Sequence, residues 1–236
     1  MSSRKDFDFS KRNLYLCTPI RDDLASFVTA ALKGGVDVVQ LREKSADAKT
    51  IIRSASQLRT ITQDFGVPFI VNDRPDIALE VGADGVHVGQ DDVDVALVRR
   101  ILPDAIVGLS THDPHELNES LTKDVDYISA GPIVPTPTKP GRSGTGIGYA
   151  EQASRLSPRP VFVTGSVQPE AVQELANHGV RHFVVVRYLT QSDDPYKAAR
   201  TLRTEIDRTV GFQGTTVSGE SPARLANSPG DRASEY

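Results

Sequence analysis

The chain has 236 residues, enough for one large domain or two small ones, and its composition is ordinary for a soluble globular enzyme. A net charge of −4 gives no general affinity for nucleic acid or for anionic membranes, so neither is expected as a partner. A single cysteine, Cys17, excludes an intramolecular disulfide, and neither a run of about 18 apolar residues nor an apolar N-terminal signal segment occurs. These features predict a cytoplasmic protein and leave its oligomeric state open, a homo-oligomer included.

Eight short apolar runs alternate with longer helix-like segments along the chain. The runs lie at residues 14–18, 38–42, 69–72, 85–88, 106–110, 127–131, 161–164 and 183–186. Their apolar residues are continuous rather than strictly alternating, which is typical of parallel strands buried on both faces. Eight β-then-α units in roughly 200 residues predict an α/β protein with the (β/α)₈ TIM-barrel fold, and a doubly wound sheet is the competing architecture.

The barrel is predicted to form a single domain over residues 11–210, with a last helix from about Asp194 to Val210. The segment 211–236 is rich in glycine, serine and proline and poor in aliphatic residues. Such a segment cannot bury enough apolar surface to offset its ordering entropy, so a disordered C-terminal tail is expected. Residues 1–10 are expected to be loose as well.

The second predicted strand ends in the charged sequence QLREK, which is Gln40, Leu41, Arg42, Glu43 and Lys44. In a TIM barrel the C-terminal ends of the strands form the rim on which active sites are built. Arg42 and Lys44 put two cations at one strand end, with Gln40 on the same side by the period-two rule, and favour an anion site. The alternative is a solvated strand end whose charges form only surface salt bridges.

Two aspartates, Asp73 and Asp92, follow the third and fourth predicted strands. Because these strands are neighbours, the two carboxylates are expected to lie close enough to share a hard cation. Mg²⁺ typically binds one or two carboxylates together with waters and phosphate oxygens. Asp91 and Asp94 are interpreted as acids in the first turn of a helix, and Asp92 has the alternative role of a helix cap.

Serine and histidine residues near the fourth and fifth strands have weaker signals. Ser110 ends the fifth strand, where a lone serine is most often a helix cap and lacks the G-x-S-x-G elbow of a nucleophile. His112 and His115 are three residues apart without further ligands at zinc-site spacing. His87 lies within the fourth strand and is interpreted as a core histidine with satisfied hydrogen bonds.

The sixth strand leads into a long loop, GPIVPTPTKPGRSGTGIG, at residues 131–148. Its length and its glycines predict a lid that excludes water once substrate is bound. Thr136 and Thr138 offer hydroxyl groups, and Lys139 is a cation that can meet a phosphate. The glycine and lysine order is not that of a Walker loop, and a long surface loop is the alternative.

The seventh and eighth strands end in Thr164-Gly165-Ser166 and in Val186-Arg187. Loops after these two strands commonly form a phosphate site in TIM barrels. Gly165 lets the backbone approach an anion closely, and Arg187 can add a charge-assisted contact. A second anion site is therefore predicted on this side of the rim.

Taken in order, the segments QLREK, VNDRPD, ADGVHVGQDD, GLSTH and AGPIVPTPTK resemble the thiamine-phosphate synthase family, and the resemblance spans residues 14 to about 190. It implies an enzyme that joins a hydroxymethylpyrimidine diphosphate to a thiazole phosphate, with release of pyrophosphate and formation of thiamine monophosphate. It also implies that Mg²⁺ is the cofactor and that Asp73 and Asp92 are its ligands.

The same resemblance implies the remaining site residues. The pyrimidine diphosphate is expected to contact Gln40, Arg42, Lys44, Asn72, Ser110 and Lys139, and Leu41 and Glu43 are expected among the substrate-binding residues. The thiazole phosphate is expected to contact Thr136, Pro137, Thr138, Gly165, Ser166, Val186 and Arg187. Arg42, Lys44 and Lys139 would neutralise charge on the leaving pyrophosphate, and Ser110 is grouped with them as a catalytic residue.

Two positions depart from the family pattern. The family usually has glycine at the position of Ser166 and serine at the position of Arg187, and both belong to the expected thiazole phosphate site. Because backbone donors tolerate a change of side chain, phosphate binding is expected to survive.

Two other functions fit parts of the pattern. A thiazole tautomerase would need the phosphate site after the last two strands but no diphosphate. A non-catalytic barrel would bind thiamine precursors without turnover. Neither requires Lys44, Asp73, Asp92 and Lys139 together, so the synthase is favoured.

Overall fold

A computed structural model of the chain describes residues 7–135 and 143–211. Its strands are β1 (Leu14–Thr18), β2 (Val38–Leu41), β3 (Phe69–Asn72), β4 (Gly85–Val88), β5 (Ile106–Thr111), β6 (Tyr127–Ala130), β7 (Val161–Val163) and β8 (His182–Val185). Its helices are α1 (Leu24–Lys33), α2 (Ala48–Asp64), α3 (Pro75–Glu80), α4 (Val95–Ile101), α5 (Pro114–Thr122), α6 (Ile147–Leu156), α7 (Pro169–Asn177), α8 (Arg187–Thr190) and α9 (Pro195–Val210). A 3₁₀ helix, Phe9–Lys11, precedes β1.

The eight strands form one closed parallel barrel in sequence order, from β1 to β8. The barrel closes where β1 pairs with β8, in the register Leu14 to Phe183 and Leu16 to Val185. A doubly wound sheet would leave two open edges, so the prediction of a (β/α)₈ barrel is confirmed. Each predicted strand is present, with ends that differ by at most one residue from the prediction.

The strands are buried on both faces because two separate cores lie on either side of the sheet. Leu14 and Leu16 point outward into the large core between strands and helices, whereas Tyr15 points inward. This alternation is the two-residue period of a β-strand. The small inner core contains Phe9, Tyr15, Val38, Ile70, Ile106, Tyr127 and Phe162.

The expectation that residues 1–10 are loose is wrong for Phe9. This side chain is only 5% exposed and belongs to the inner core. Its ring stacks on Tyr127, with 4.9 Å between centroids, and meets Phe162 edge-on. Since Tyr127 begins β6, Phe9 closes the N-terminal end of the barrel, opposite the rim where the site was predicted. Residues 1–6 lie outside the described ranges.

The C-terminal part of the barrel is held by α9, which runs from Pro195 to Val210 as predicted. A Cβ atom added at Gly34, after α1, would lie 2.5 Å from the carbonyl oxygen of Tyr196, so glycine permits close packing of α1 on α9. The short helix α8 was not predicted. The tail predicted to be disordered lies outside the described residues beyond Gly211. Within the described ranges, no helix has the length and apolar character needed to cross a membrane.

Replacing Phe9 by alanine should lower the free energy of unfolding by about 3 kcal/mol, because a buried aromatic ring is lost and a cavity remains. Urea unfolding followed by circular dichroism measures the change. Phe65→Ala is the matched control, since Phe65 is 40% exposed, and its effect should stay below about 1 kcal/mol. Equal effects of the two substitutions would show that Phe9 does not close the barrel.

Candidate active site

The C-terminal ends of the strands enclose a cavity of about 430 Å³. The predicted site residues among its lining are Gln40, Arg42, Asn72, Ser110, Gly165, Ser166, Val186 and Arg187. Other lining residues come from the same strands and loops, including Tyr15, Cys17, His87, Tyr127, Ser129, Thr164, Gln168 and Tyr188. The fold therefore brings residues predicted at both anion sites into one cavity.

β2 and the residue after it present Gln40 and Arg42 to the cavity, because alternate residues face the barrel axis. The Leu41 side chain is buried in the large outer core between strands and helices, so only its backbone is available to a ligand in the cavity. Glu43 accepts hydrogen bonds from the backbone N–H and hydroxyl of Ser45, at 2.9 and 2.7 Å, and so stabilises the turn after β2. Among the residues that the structure describes, Arg42 forms no ion pair.

The carboxylates of Asp73 and Asp92 meet at the rim, as their positions after neighbouring strands predicted. Asp73 Oδ2 lies 2.9 Å from Lys44 Nζ. Burial raises the pKa of the Asp73 carboxyl; the hydrogen bond from Lys44 opposes this shift, and the neighbouring Asp92 carboxylate adds to it. Asp92 Oδ2 also accepts the backbone N–H of Gly89 at 2.9 Å. Asp73 therefore contacts both the Lys44 ammonium and the second carboxylate, Asp92.

The backbone holds Asp73 in place. Its φ of 59° lies in the left-handed region, which a residue other than glycine rarely adopts. Its N–H donates to the carbonyl oxygen of His87, at 2.8 Å, which joins the end of β3 to β4. Non-glycine residues in this conformation concentrate at ligand sites, where the surrounding structure imposes the strain.

Helix capping does not explain Asp92. The N-cap of α4 is Asp94, whose Oδ1 accepts the backbone N–H of Ala96 at 2.7 Å. Asp92 lies before the cap, with its carboxylate turned to Gly89 and Asp73. The close pair of carboxylates suits a hard cation such as Mg²⁺, because carboxylate oxygens are the donors that this ion prefers.

Ser110 lies inside β5 and faces the cavity, and the cap of α5 is Asp113. The Ser110 hydroxyl is 2.9 Å from Nε2 of His87, whose Nδ1 is 3.1 Å from the hydroxyl of Tyr127. Gln90 donates to the Ser110 carbonyl oxygen at 2.6 Å. The interpretation of His87 as a buried histidine with satisfied hydrogen bonds is confirmed, but its ring also lines the cavity.

Asn72 ends β3 with its side chain turned to the cavity. It is 6% exposed, and its Nδ2 group has no hydrogen-bond partner among the described residues. An unpaired buried donor costs about 1–3 kcal/mol, so a polar group of a ligand at this position would recover that free energy.

The two departures from the family pattern contact one another. Ser166 has a φ of 53°, a left-handed conformation in which glycine would be unstrained. Arg187 Nη2 donates to Ser166 Oγ at 3.2 Å, and no ion pair to Arg187 occurs within residues 7–135 and 143–211. The preceding Gly165 has a φ of 112°, and a Cβ atom there would lie 2.5 Å from the backbone nitrogen of Ile133.

Four predicted site residues, Thr136, Pro137, Thr138 and Lys139, lie outside the described residues. The two ends of their loop are described, and they are joined. Gly146 N–H donates to the carbonyl oxygen of Ile133 at 3.0 Å, and Ile133 N–H donates to that of Thr164 at 2.8 Å. The loop therefore starts and ends beside the cavity.

Polar residues inside the strands also line the cavity, although they were not predicted as site residues. Tyr15 and Cys17 lie two apart in β1, and Tyr127 and Ser129 lie two apart in β6; all four line the cavity. The signal that would have identified them is this two-residue spacing within otherwise apolar runs.

Comparisons with known proteins agree with one another. The family model for thiamine monophosphate synthase matches residues 14–189. Thiamine-phosphate synthase of Mycobacterium sp. (strain KMS) is 41% identical over 208 residues, covering 82% of this chain and 92% of that protein. The enzyme of the same name from Mycobacterium tuberculosis is also 41% identical over 208 residues, covering 82% and 94%.

A solved structure gives the same result. Thiamine phosphate pyrophosphorylase from Pyrococcus furiosus superimposes with a TM-score of 0.78 at 29% identity, covering 84% of this chain and 97% of that one. The matched region contains every strand of the barrel and the polar residues at its rim. The chain belongs to the thiamine monophosphate synthase family.

Proposed function

We propose that this protein is a Mg²⁺-dependent transferase of the cytoplasm that makes thiamine monophosphate. It joins 4-amino-2-methyl-5-hydroxymethylpyrimidine diphosphate to thiazole ethyl phosphate, or to its carboxylate form, and releases pyrophosphate. The observation that carries this proposal is the close pair Asp73 and Asp92, with Lys44 at 2.9 Å, beside a cavity lined by Arg42. The chain has a single cysteine, Cys17, which is buried and suits a reducing compartment.

The pyrimidine diphosphate is assigned to the side of the cavity formed by β2, β3 and β5. Gln40, Asn72 and Ser110 are buried polar groups there, with hydrogen-bonding capacity that a heterocyclic ring can use. Arg42 lines the cavity without an ion pair to any described residue, so its guanidinium is available to a diphosphate. Lys44 lies at the rim on the same side.

Asp73 and Asp92 would hold Mg²⁺, and the bound ion would supply positive charge that stabilises the leaving pyrophosphate. The assignment is supported because Asp73 differs from an ordinary surface aspartate. Asp73 is half-buried in a strained conformation, and its pKa is raised by burial and by Asp92. A divalent cation would relieve the repulsion between the two carboxylates.

The reaction breaks the C–O bond between the pyrimidine methylene and the diphosphate, and the bonding electron pair leaves with pyrophosphate. The aminopyrimidine stabilises the cationic methylene, and the lone pair of the thiazole nitrogen then forms the new C–N bond. No protein nucleophile is needed for this sequence. Arg42 and Lys44 favour it by neutralising the charge that develops on the leaving group, and Lys139 is expected to assist them.

The thiazole phosphate is assigned to the loops after β7 and β8. Gly165 keeps its backbone open to an anion, and the Ser166 hydroxyl and Arg187 guanidinium lie together on the same wall. Val186 adds apolar surface to this wall. The joined ends of the loop at Ile133 and Gly146 lie next to this side, which supports the proposal that residues between them cover the bound substrates.

Incubation of the purified protein with both substrates and Mg²⁺ tests the function, with thiamine phosphate and pyrophosphate as the measured products. Both products should appear in equal amounts and only when both substrates are present. Conversion of a thiazole phosphate without the pyrimidine would instead indicate a tautomerase. Binding of both compounds without turnover would indicate a non-catalytic barrel.

Asp73→Ala and Asp92→Ala should each lower turnover about 10²- to 10³-fold, because each removes a ligand of the cation that stabilises the leaving group. Steady-state assays over a range of Mg²⁺ concentrations measure the loss. EDTA should abolish the activity of the unmodified protein, and added Mg²⁺ should restore it.

The matched control for these variants is Asp94→Ala, two residues beyond Asp92. Asp94 only caps α4, so this variant should keep its turnover and lose some thermal stability. Full activity of either rim variant, or activity that is indifferent to EDTA, would contradict the metal role.

Arg187→Ala should raise the KM for thiazole phosphate about tenfold and leave the KM for the pyrimidine diphosphate unchanged, because one charged hydrogen-bond donor to phosphate is lost. Arg187→Lys should raise this KM less, since lysine keeps the positive charge but cannot form bidentate hydrogen bonds to a phosphate. Arg53→Ala, on the exposed face of α2, is the control. Unchanged kinetics of Arg187→Ala would remove this residue from the phosphate site.

A further inference from the structure

One continuous chain of hydrogen bonds crosses the floor of the cavity. Cys17 Sγ donates to Gln40 Oε1 at 3.1 Å, and Gln40 Nε2 donates to the Tyr15 hydroxyl at 2.8 Å. The Tyr15 and Tyr127 hydroxyls are 2.9 Å apart, Tyr127 is 3.1 Å from His87 Nδ1, and His87 Nε2 is 2.9 Å from Ser110 Oγ. All six side chains are more than nine-tenths buried, and all line the cavity. The two ends of this polar chain include Gln40 and Ser110, both assigned above to the pyrimidine.

A glycine lets this polar chain pass over β5. Gly108 is paired with His87 on one side and with Tyr127 on the other. A Cβ atom at Gly108 would lie 2.2 Å from Tyr127 Cζ and 2.5 Å from His87 Nδ1. Any side chain at residue 108 would therefore displace the hydrogen bond between these two rings. The polar chain depends on the absence of a side chain at one position of the barrel wall.

The hydrogen bonds have a preferred direction. Burial raises the pKa of both Tyr15 and Tyr127, so each keeps one hydroxyl hydrogen. Tyr15 accepts from Gln40, so donation to Tyr127 is the direction that gives the Tyr15 hydroxyl hydrogen an acceptor as well. In this direction Tyr127 donates to His87 Nδ1, and the corresponding Nε2–H tautomer of His87 donates to Ser110. This arrangement leaves the Ser110 hydroxyl hydrogen for a ligand.

Reversing the direction is unfavourable at the Cys17 end. The amide of Gln40 would have to turn its NH₂ group toward the sulfur atom, which is a weak acceptor. As the structure stands, the thiol donates to the amide oxygen instead. The orientation of the Gln40 amide therefore determines the direction of the Ser110 hydroxyl, although the two residues lie on different strands, β2 and β5.

We infer that Tyr15, Tyr127 and His87 are positioning residues that fix the hydrogen-bond direction of Gln40 and Ser110, so that the cavity selects a 4-aminopyrimidine over its 4-oxo analogue. This inference rests on the proposed function, which assigns the pyrimidine to Gln40 and Ser110. None of the three positioning residues needs to contact the reacting atoms.

The chemistry of the two rings explains the selectivity. A 4-aminopyrimidine presents an amino donor beside a ring nitrogen that accepts. A 4-oxopyrimidine presents a carbonyl acceptor beside a ring N–H that donates. When the donors and acceptors of the cavity floor are fixed, they can form hydrogen bonds with the 4-aminopyrimidine. The 4-oxopyrimidine would leave buried polar groups without partners, and such unpaired groups are the strongest source of discrimination in a binding site.

The test uses Tyr15→Phe and Tyr127→Phe, each of which removes one oxygen atom and cuts the polar chain while keeping the packed ring. Calorimetry with Mg²⁺ present measures the Kd of the 4-aminopyrimidine diphosphate and of its 4-oxo analogue. In both variants the preference for the amino compound should fall at least about tenfold, because the direction of the chain is no longer fixed. The KM for thiazole phosphate should stay within about twofold, since its site is separate.

Tyr149→Phe is the matched control, because Tyr149 is a buried tyrosine of the outer core and should leave the preference unchanged. An unchanged preference in the folded Tyr15 and Tyr127 variants, or equal weakening of both analogues, would overturn the inference. If one of the two variants does not fold, the preference is measured in the other and in Cys17→Ala. Cys17 lies at the end of the polar chain, so its loss should also lower the preference. An unmodified protein without turnover would reject the proposed function, whereas a lost preference in the variants would still support this inference.

Discussion

Hydrogen bonding between β1 and β8, which closes the sheet into a barrel, is the constraint on which the rest of the structure depends. Closure gives every strand two buried faces, so one set of alternate side chains must pack around the barrel axis. It also brings the C-terminal ends of all eight strands around one cavity. Residues as distant in sequence as Cys17 and Arg187 line that cavity together for this reason alone.

The interior of the barrel is aromatic at its N-terminal end and polar at the floor of the cavity. At the N-terminal end, Phe9, Tyr127 and Phe162 pack ring against ring and exclude water. Tyr15 and Tyr127 join this aromatic layer through their rings and the polar floor through their hydroxyls. The same two residues therefore contribute to stability and present hydrogen-bonding groups to the cavity. Their fixed position in the core is what makes the floor rigid enough to discriminate between ligands.

Backbone strain marks the two sides of the site. Asp73 and Ser166 are the non-glycine residues with positive φ among those described, and they lie after β3 and β7. Each places a polar side chain at a predicted anion or metal site. The strain at Ser166 accompanies a hydrogen bond from Arg187, so the two departures from the family pattern form one local arrangement rather than two independent changes. The cost of an unusual conformation is offset by the contacts that it makes available.

The sequence by itself determined the eight strands, their order and the position of Asp73 and Asp92 at neighbouring strand ends, because apolar runs and rim residues are local patterns. It did not identify Tyr15 or Tyr127, it named Ser110 as a site residue only through the family resemblance, and it placed His87 in the core without a cavity. Only the tertiary structure decided that these four side chains meet, since they lie on β1, β4, β5 and β6 and their hydrogen bonds cross the barrel. It also decided that Phe9 closes the bottom of the barrel and that Arg187 contacts Ser166. Contacts between residues far apart in sequence depend on the register of the strands and on side-chain packing inside the closed barrel, which no local pattern encodes.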